Sequence, residues 1–256
     1  MAAGWRDAPN RGTMTVMNGG DAPTQDRDLS EDLARAALTL ARRFAGGATM
    51  WCVAPTWPSH GRHVAVEFVH PVIVGKRALP AVSVDGAEAE GSLRLLARPG
   101  DILLMASTAD DVGAVDLLTR SEAWGLTRIW IGAGRRPTGS RADHVIWTVG
   151  ADPALAARSG DLVLLYHLLW ELTHVVFEHP GLLKEDAGCT DEVCITCSDE
   201  GRVAEVRAVL SDGSVDAMVG GRPETVDSSL VDPVVAGDLL LVHAGVALAT
   251  LGATRP

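Results

Sequence analysis

Two groups of residues in this chain have types and spacings that could do chemistry. The first is His63 and Glu67 in "HVAVE", four apart and so on one face of a helix, together with His167 far downstream in "LLYHLLWEL". A carboxylate and imidazoles brought together can shuttle a proton through an enediol, or hold a divalent ion such as zinc. On a helix the same His-x-x-x-Glu pattern is also met as a solvated or structural pair. The second group is Cys194 and Cys197 in "VCITCSDEGRVAEV", two of four cysteines, followed by His243 in "GDLLLVHAGVALATL". A C-x-x-C serves as half of a zinc site, a redox pair, a metal-handling thiol or two buried small hydrophobes. Cys189, Cys194 and Cys197 with a distant His243 lack the second close pair of a tetrahedral zinc site. A thioredoxin-like pair would open a helix after a strand, which this segment does not do.

Composition excludes several classes. The 256 residues are 47% hydrophobic and 21% charged, the balance of a globular chain with a sizeable core, long enough for one large or two ordinary domains. A net charge of -11 provides no basic field for phosphate backbones, so no nucleic-acid role is expected. The N-terminal stretch has charges and glycines where a signal peptide needs an apolar run, and no later run would span a bilayer. The chain therefore reads as cytoplasmic with no membrane partner, and Cys52, Cys189, Cys194 and Cys197 are expected as free thiols.

The elements that must position these residues follow from hydrophobic period. Residues 1–28 carry no apolar periodicity and read as a flexible tail. "LSEDLARAALTLARRFAGG" puts Leu33, Ala37, Leu40, Ala41 and Phe44 on one helical face, with Ser30 as a possible N-cap and Gly46-Gly47 as the stop. "ATMWCVA", "ALPAVSV", "GDILLMAST", "LTRIWIGAG" and "ADHVIWTV" are short apolar strands, with helices predicted in "PTWPSHGRHVAVEFVHPVI", which begins as a loop, in "DDVGAVDLLTRSEAWG" and in the apolar Leu162–Val176 region. This alternation predicts an α/β module over 29–185, its parallel sheet covered by helices on both faces. The Leu162–Val176 helix is apolar on more faces than a monomer covers, which predicts at least a dimer. After a polar linker at 186–192 the texture changes. "GRVAEVRAVL", "GSVDAMVGG", "ETVDSSLV" and "GDLLLVHAG" are alternating segments between Gly and Asp turns, which predicts a small OB-like β-barrel over 193–256.

The C-terminal part resembles the HypC/HupF family of hydrogenase maturation chaperones. The family's cysteine followed by a Gly-Arg-Val-x-Glu-like strand is matched from Val193 onward, and its GD-x-x-L-V-H-x-G-x-A signature by Gly237 to Leu251. The resemblance implies that Cys194 and His243 handle the Fe(CN)2CO precursor; Cys197 stands where the family commonly has an aliphatic residue and is either an extra ligand or a second thiol. It implies a HypD-type partner and a nickel-iron hydrogenase large subunit precursor as recipient. A thiolate suits low-spin iron as a soft ligand. Cys194 is internal, whereas free-standing members carry this cysteine after the initiator Met.

Residues 33–176 resemble the SIS domain of sugar isomerases, most of all sedoheptulose 7-phosphate (phosphoheptose) isomerase. "VAPTW", "HVAVE", "LPA", "GDILLMASTADDV" and "LLYHLLWEL" follow that family's motif order. The resemblance implies a homodimer or tetramer, Glu67 and His167 as proton-transfer residues, Ser107 and Thr108 as a ligand loop, and zinc on His63, Glu67 and His167. Ser159 replaces the family's glutamine. Pro55 and Trp57 stand where small residues cradle a phosphate, and Asp110 and Asp111 follow the second loop. A proline removes an N–H donor and two carboxylates repel a phosphate, so little turnover of sedoheptulose 7-phosphate is expected. Together the resemblances imply a maturation chaperone whose SIS module dimerises the chain or binds a metabolite, or else a sugar-phosphate isomerase with a regulatory barrel.

Overall fold

A computed structural model describes residues 29–183 and 201–251. The expected tail and linker, and Cys189, Cys194 and Cys197, lie outside the described residues. The first part runs α1 (Leu29–Ala45), β1 (Met50–Val53), α2 (Pro58–Val69), β2 (Ala81–Val84), α3 (Ala89–Leu96), β3 (Ile102–Ala106), α4 (Val112–Ala123), β4 (Thr127–Gly134), β5 (His144–Val149), α5 (Pro153–Ser159) and α6 (Asp161–Glu178). The five strands form one parallel sheet in the order β2-β1-β3-β4-β5. β1, β3 and β4 are buried along their whole length, which is why they read as unbroken apolar runs.

Alternate side chains of these strands serve two cores. Met50, Cys52, Ile102, Leu104, Ile129 and Ile131 pack with α1, α2 and α6. Trp51, Val53, Leu103, Met105 and Trp130 pack with α3 and α4. Gly132 of β4 has no room for a side chain, because a Cβ there would come within 2.4 Å of the Trp147 ring and 2.5 Å of the Ser107 carbonyl oxygen. α6 buries Leu162, Leu165, Tyr166, Leu169 and Trp170 and leaves Leu164, Leu168 and Val175 exposed.

The second part is a five-stranded antiparallel sheet, β10-β9-β6-β7-β8, built from β6 (Arg202–Val209), β7 (Val215–Val219), β8 (Arg222–Val226), β9 (Leu239–His243) and β10 (Val246–Thr250). The tight β9–β10 turn has positive φ at both central residues, Ala244 (50°) and Gly245 (83°), the conformation that matches the twist of a two-residue hairpin. One isolated bridge, Asp227 to Val246, brings the chain just after β8 beside β10. No continuous ladder closes the sheet among the described residues, so the structure shows an antiparallel sheet where the sequence predicts a barrel.

This sheet packs on the α3/α4 side of the parallel sheet, where Val203 and Leu239 join the α/β core. Glu205 of β6, 5% exposed, is the polar centre of that contact. It accepts hydrogen bonds from Arg120 (3.0 Å) and Trp124 (2.7 Å) of the α4 region and from Arg94 of α3. Among the described residues no helix is long and apolar enough to cross a membrane.

Candidate active site

α2 begins at Pro58, whose fixed φ suits the first helical position. Its buried face, His60, Gly61, Val64, Ala65 and Phe68, turns into the core. That leaves His63 and Glu67 on the flank facing α6. α6 is held against α1 and α2 by Leu162, Leu165, Tyr166 and Leu169, which sets His167 opposite the α2 pair. The donor atoms of His63, Glu67 and His167 all lie within 4.8 Å of one another. Glu67 Oε1 is 3.4 Å from His63 Nε2 and 3.1 Å from His167 Nε2. The Glu67 side chain is 17% exposed and the two imidazoles 43% and 42%, so the cluster opens to solvent.

Tyr166 and His60 complete the arrangement, and neither was singled out from the sequence. The Tyr166 hydroxyl is 2.8 Å from His63 Nδ1, and a longer 3.5 Å separates it from His60 Nδ1. His60 Nε2 in turn sits 2.9 Å from the Ala157 carbonyl oxygen. Burial, and then the charge of Glu67, push the Tyr166 phenol well above its ordinary pKa, so it stays protonated at neutral pH. A phenol proton donated to Nδ1 would leave a neutral His63 with its N–H at Nε2, which lies 3.4 Å from Glu67 without the alignment of a hydrogen bond.

His167 Nε2 is buried at the atom level and lies near Glu67 without the alignment of a hydrogen bond. An orphaned nitrogen beside a second imidazole and a carboxylate is a donor set that fits zinc with one open position, and Tyr166 would then orient His63 from behind. Ser159, which the resemblance puts at a fourth ligand position, donates to Asp161 at 2.8 Å.

The other residues expected at a site lie elsewhere. Ser107 is fully buried, and its hydroxyl accepts from Trp130 Nε1 at 2.9 Å. Thr108 lines a cleft on the α4 side. His243 ends β9 in the antiparallel sheet, and Cys194 and Cys197 fall outside the described residues. In sheets of this strand order the crevice between the carboxyl ends of β1 and β3 is the usual ligand position. Here the Thr56 hydroxyl donates across it to Asp111 (3.1 Å), whose other oxygen accepts from Ala114 N–H (3.0 Å) at the start of α4. Pro55 packs so closely on Gly86 that a Cβ there would meet Pro55 at 2.8 Å. Beside that closed crevice, a cleft of about 380 Å³ is lined by Thr56, Trp57, Ser59, His60, Ala157 and Arg158 among others. His60, on the wall of that cleft, is 3.5 Å from the Tyr166 hydroxyl that also meets His63.

No family model and no curated protein matches the chain. Solved structures do. A phosphoheptose isomerase from Francisella tularensis is similar with a TM-score of 0.51 at 14% identity, covering 58% of this chain and 88% of that one. A phosphoheptose isomerase from Neisseria gonorrhoeae gives a TM-score of 0.46 at 17% identity, with the same coverage of each chain. At 14% identity the likeness to the Francisella structure shows the fold alone, a parallel five-stranded sheet between helices.

Proposed function

We propose that the α/β module is an aldose-ketose isomerase for a phosphorylated sugar, with Glu67 as the group that moves the proton. The observation that carries this is the Glu67 carboxylate set between two imidazoles, one oriented by Tyr166 and one with an unpartnered nitrogen. Glu67 takes a proton from the carbon beside the carbonyl. The electron pair forms the enediol double bond, and the carbonyl oxygen receives a proton. His167 is the group available to give and retrieve protons at the two oxygens, after which Glu67 returns its proton to the neighbouring carbon. If zinc were held by His63, Glu67 and His167, it would polarise the carbonyl in place of the His167 proton, with the other Glu67 oxygen left as the base. Arg158, which lines the neighbouring cleft with His60, is the group we assign to the phosphate.

The closed β1/β3 crevice shortens the room for a sugar chain, which supports shorter substrates over heptoses. A panel of four- to seven-carbon ketose phosphates, followed by NMR for aldose product, should show turnover with sedoheptulose 7-phosphate among the poorest. No product from any member would contradict the assignment.

A second reading, hydrogenase maturation with iron delivered as cargo, is supported by one observation. The strands that carry the two HypC/HupF-like motifs are direct partners, Arg202 opposite Val242 and Glu205 opposite Leu239. His243 therefore sits at the end of the sheet where β6 begins, at Arg202, five residues after Cys197 in sequence. On this reading Cys194→Ala lowers hydrogenase activity in cells, with unchanged protein level, through loss of transfer from a HypD-type partner to the large subunit precursor. Normal hydrogenase activity in that strain would remove it.

A further inference from the structure

Three arginines line one cleft away from Glu67. β4 and β5 are neighbouring parallel strands, yet no helix joins them; residues 135–143, "RRPTGSRAD", do so. The segment leaves the end of β4 and returns to its start, where Asp143 N–H bonds the Arg128 carbonyl (3.0 Å). With Trp130 and the α4 side chains Val115 and Leu118, it lines a cleft of about 530 Å³. Arg135, Arg136 and Arg141 all line this cleft. Arg136 is engaged, donating to buried Asp32 (2.7 Å) and to the Val145 carbonyl (3.0 Å). Arg135 and Arg141 have no hydrogen bond or ion pair among the described residues.

We infer that this cleft is a second binding site, for a small hydroxylated phosphate monoester whose phosphate pairs with Arg135 and Arg141 and whose hydroxyls donate to Asp110. Guanidiniums bind phosphate oxygens by paired, charge-assisted hydrogen bonds, and two without carboxylate partners on one cavity attract an anion. The cavity is small and the chain carries a net charge of -11, which favours a metabolite over a polyanionic chain. Asp110 lines the same cavity. The Thr108 hydroxyl, and then its own backbone N–H, hold its carboxyl below the ordinary range, so it is charged. A bare anion would be repelled there, whereas a ligand with hydroxyls beside its phosphate would satisfy both signs. The site is separate from the Glu67 cluster, because the cleft belongs to the α4 side of the sheet and shares no lining residue with that cluster.

The test is calorimetric titration of the full chain with glycerol 3-phosphate and, separately, with inorganic phosphate. Saturable binding of glycerol 3-phosphate, tighter than inorganic phosphate, is expected. The Arg135→Gln/Arg141→Gln variant should bind it at least about tenfold more weakly, since two charge-assisted contacts are lost. An Arg135→Lys/Arg141→Lys variant, which keeps the charges, should fall between. Glu67→Gln should bind as the native chain does, and Asp110→Asn should narrow the preference over inorganic phosphate. Unchanged affinity in the glutamine variant, absence of saturable binding, or loss of binding in Glu67→Gln would each overturn the inference.

Discussion

Glu67→Gln is expected to lower turnover of the best ketose phosphate by about a thousandfold, within the span that positioned acid-base groups contribute. The amide has nearly the same shape as the carboxylate, so the α2–α6 contact is kept. What it lacks is basicity, and without a base no proton leaves the carbon. His167→Asn should cost less, because water can protonate an oxygen of the enediol in its place. Tyr166→Phe should cost least: it removes the hydrogen bond to His63 Nδ1 (2.8 Å) and frees the tautomer, but leaves Glu67 and His167 where they are. Steady-state rates across the three variants check the ordering. If Glu67→Gln retained activity within about tenfold of the native chain, Glu67 would not be the general base.

Glu205→Ala should destabilise the protein by about 3 kcal/mol, the cost of removing one member of a buried ion cluster. The Glu205 carboxylate is 6% exposed at the side chain and holds Arg120, 10% exposed, together with the Trp124 indole N–H. Truncation strips a buried guanidinium of one carboxylate and leaves the indole donor unsatisfied, and both penalties fall in the low-dielectric contact between the two sheets. Arg120 keeps Asp116 (2.8 Å) and the Gly237 carbonyl (2.8 Å), which holds the loss to the lower end of such effects. Glu205→Gln keeps an acceptor for only one of the two, because Arg120 and Trp124 donate to different carboxylate oxygens, so it should recover only part of the loss. Urea unfolding measures the difference; a loss below about 1 kcal/mol would mean that apolar contacts through Val203 and Leu239 hold the sheets together unaided.

The parallel sheet was legible because β1, β3 and β4 are buried on both faces and so leave unbroken apolar runs, and α1 because its buried stripe has a clean helical period. α3 and α5 escaped notice: at eight and seven residues they are too short to show a period, although Asp152 before Pro153 is a readable cap, with its side chain accepting from Ala154 N–H and Leu155 N–H. β10 was hidden inside the stretch that also forms β9, since the Ala244–Gly245 turn has only one glycine to mark it. His63 and Glu67 could be paired from spacing alone, as both lie on α2. His167 is drawn to them by family resemblance, because the α2–α6 packing that brings it close leaves no local trace. Tyr166 and His60 depend on the same packing; the chain's single tyrosine beside His167 was the available signal. The Pro55, Trp57, Asp110 and Asp111 departures did point to an altered loop. The structure shows its form: Thr56 and Asp111 bridge the crevice, and Asp110 lines a different cleft.

Proton transfer at Glu67 is tested most directly by solvent exchange, which registers abstraction even when little net product forms. The native chain is incubated with each ketose phosphate of the panel in deuterium oxide, and the hydrogens beside the carbonyl are followed by proton NMR. Deuterium should enter at that carbon with the native chain and stay at the uncatalysed level with Glu67→Gln. Absence of exchange for every sugar phosphate, or equal exchange in the variant, would contradict an isomerase site at Glu67.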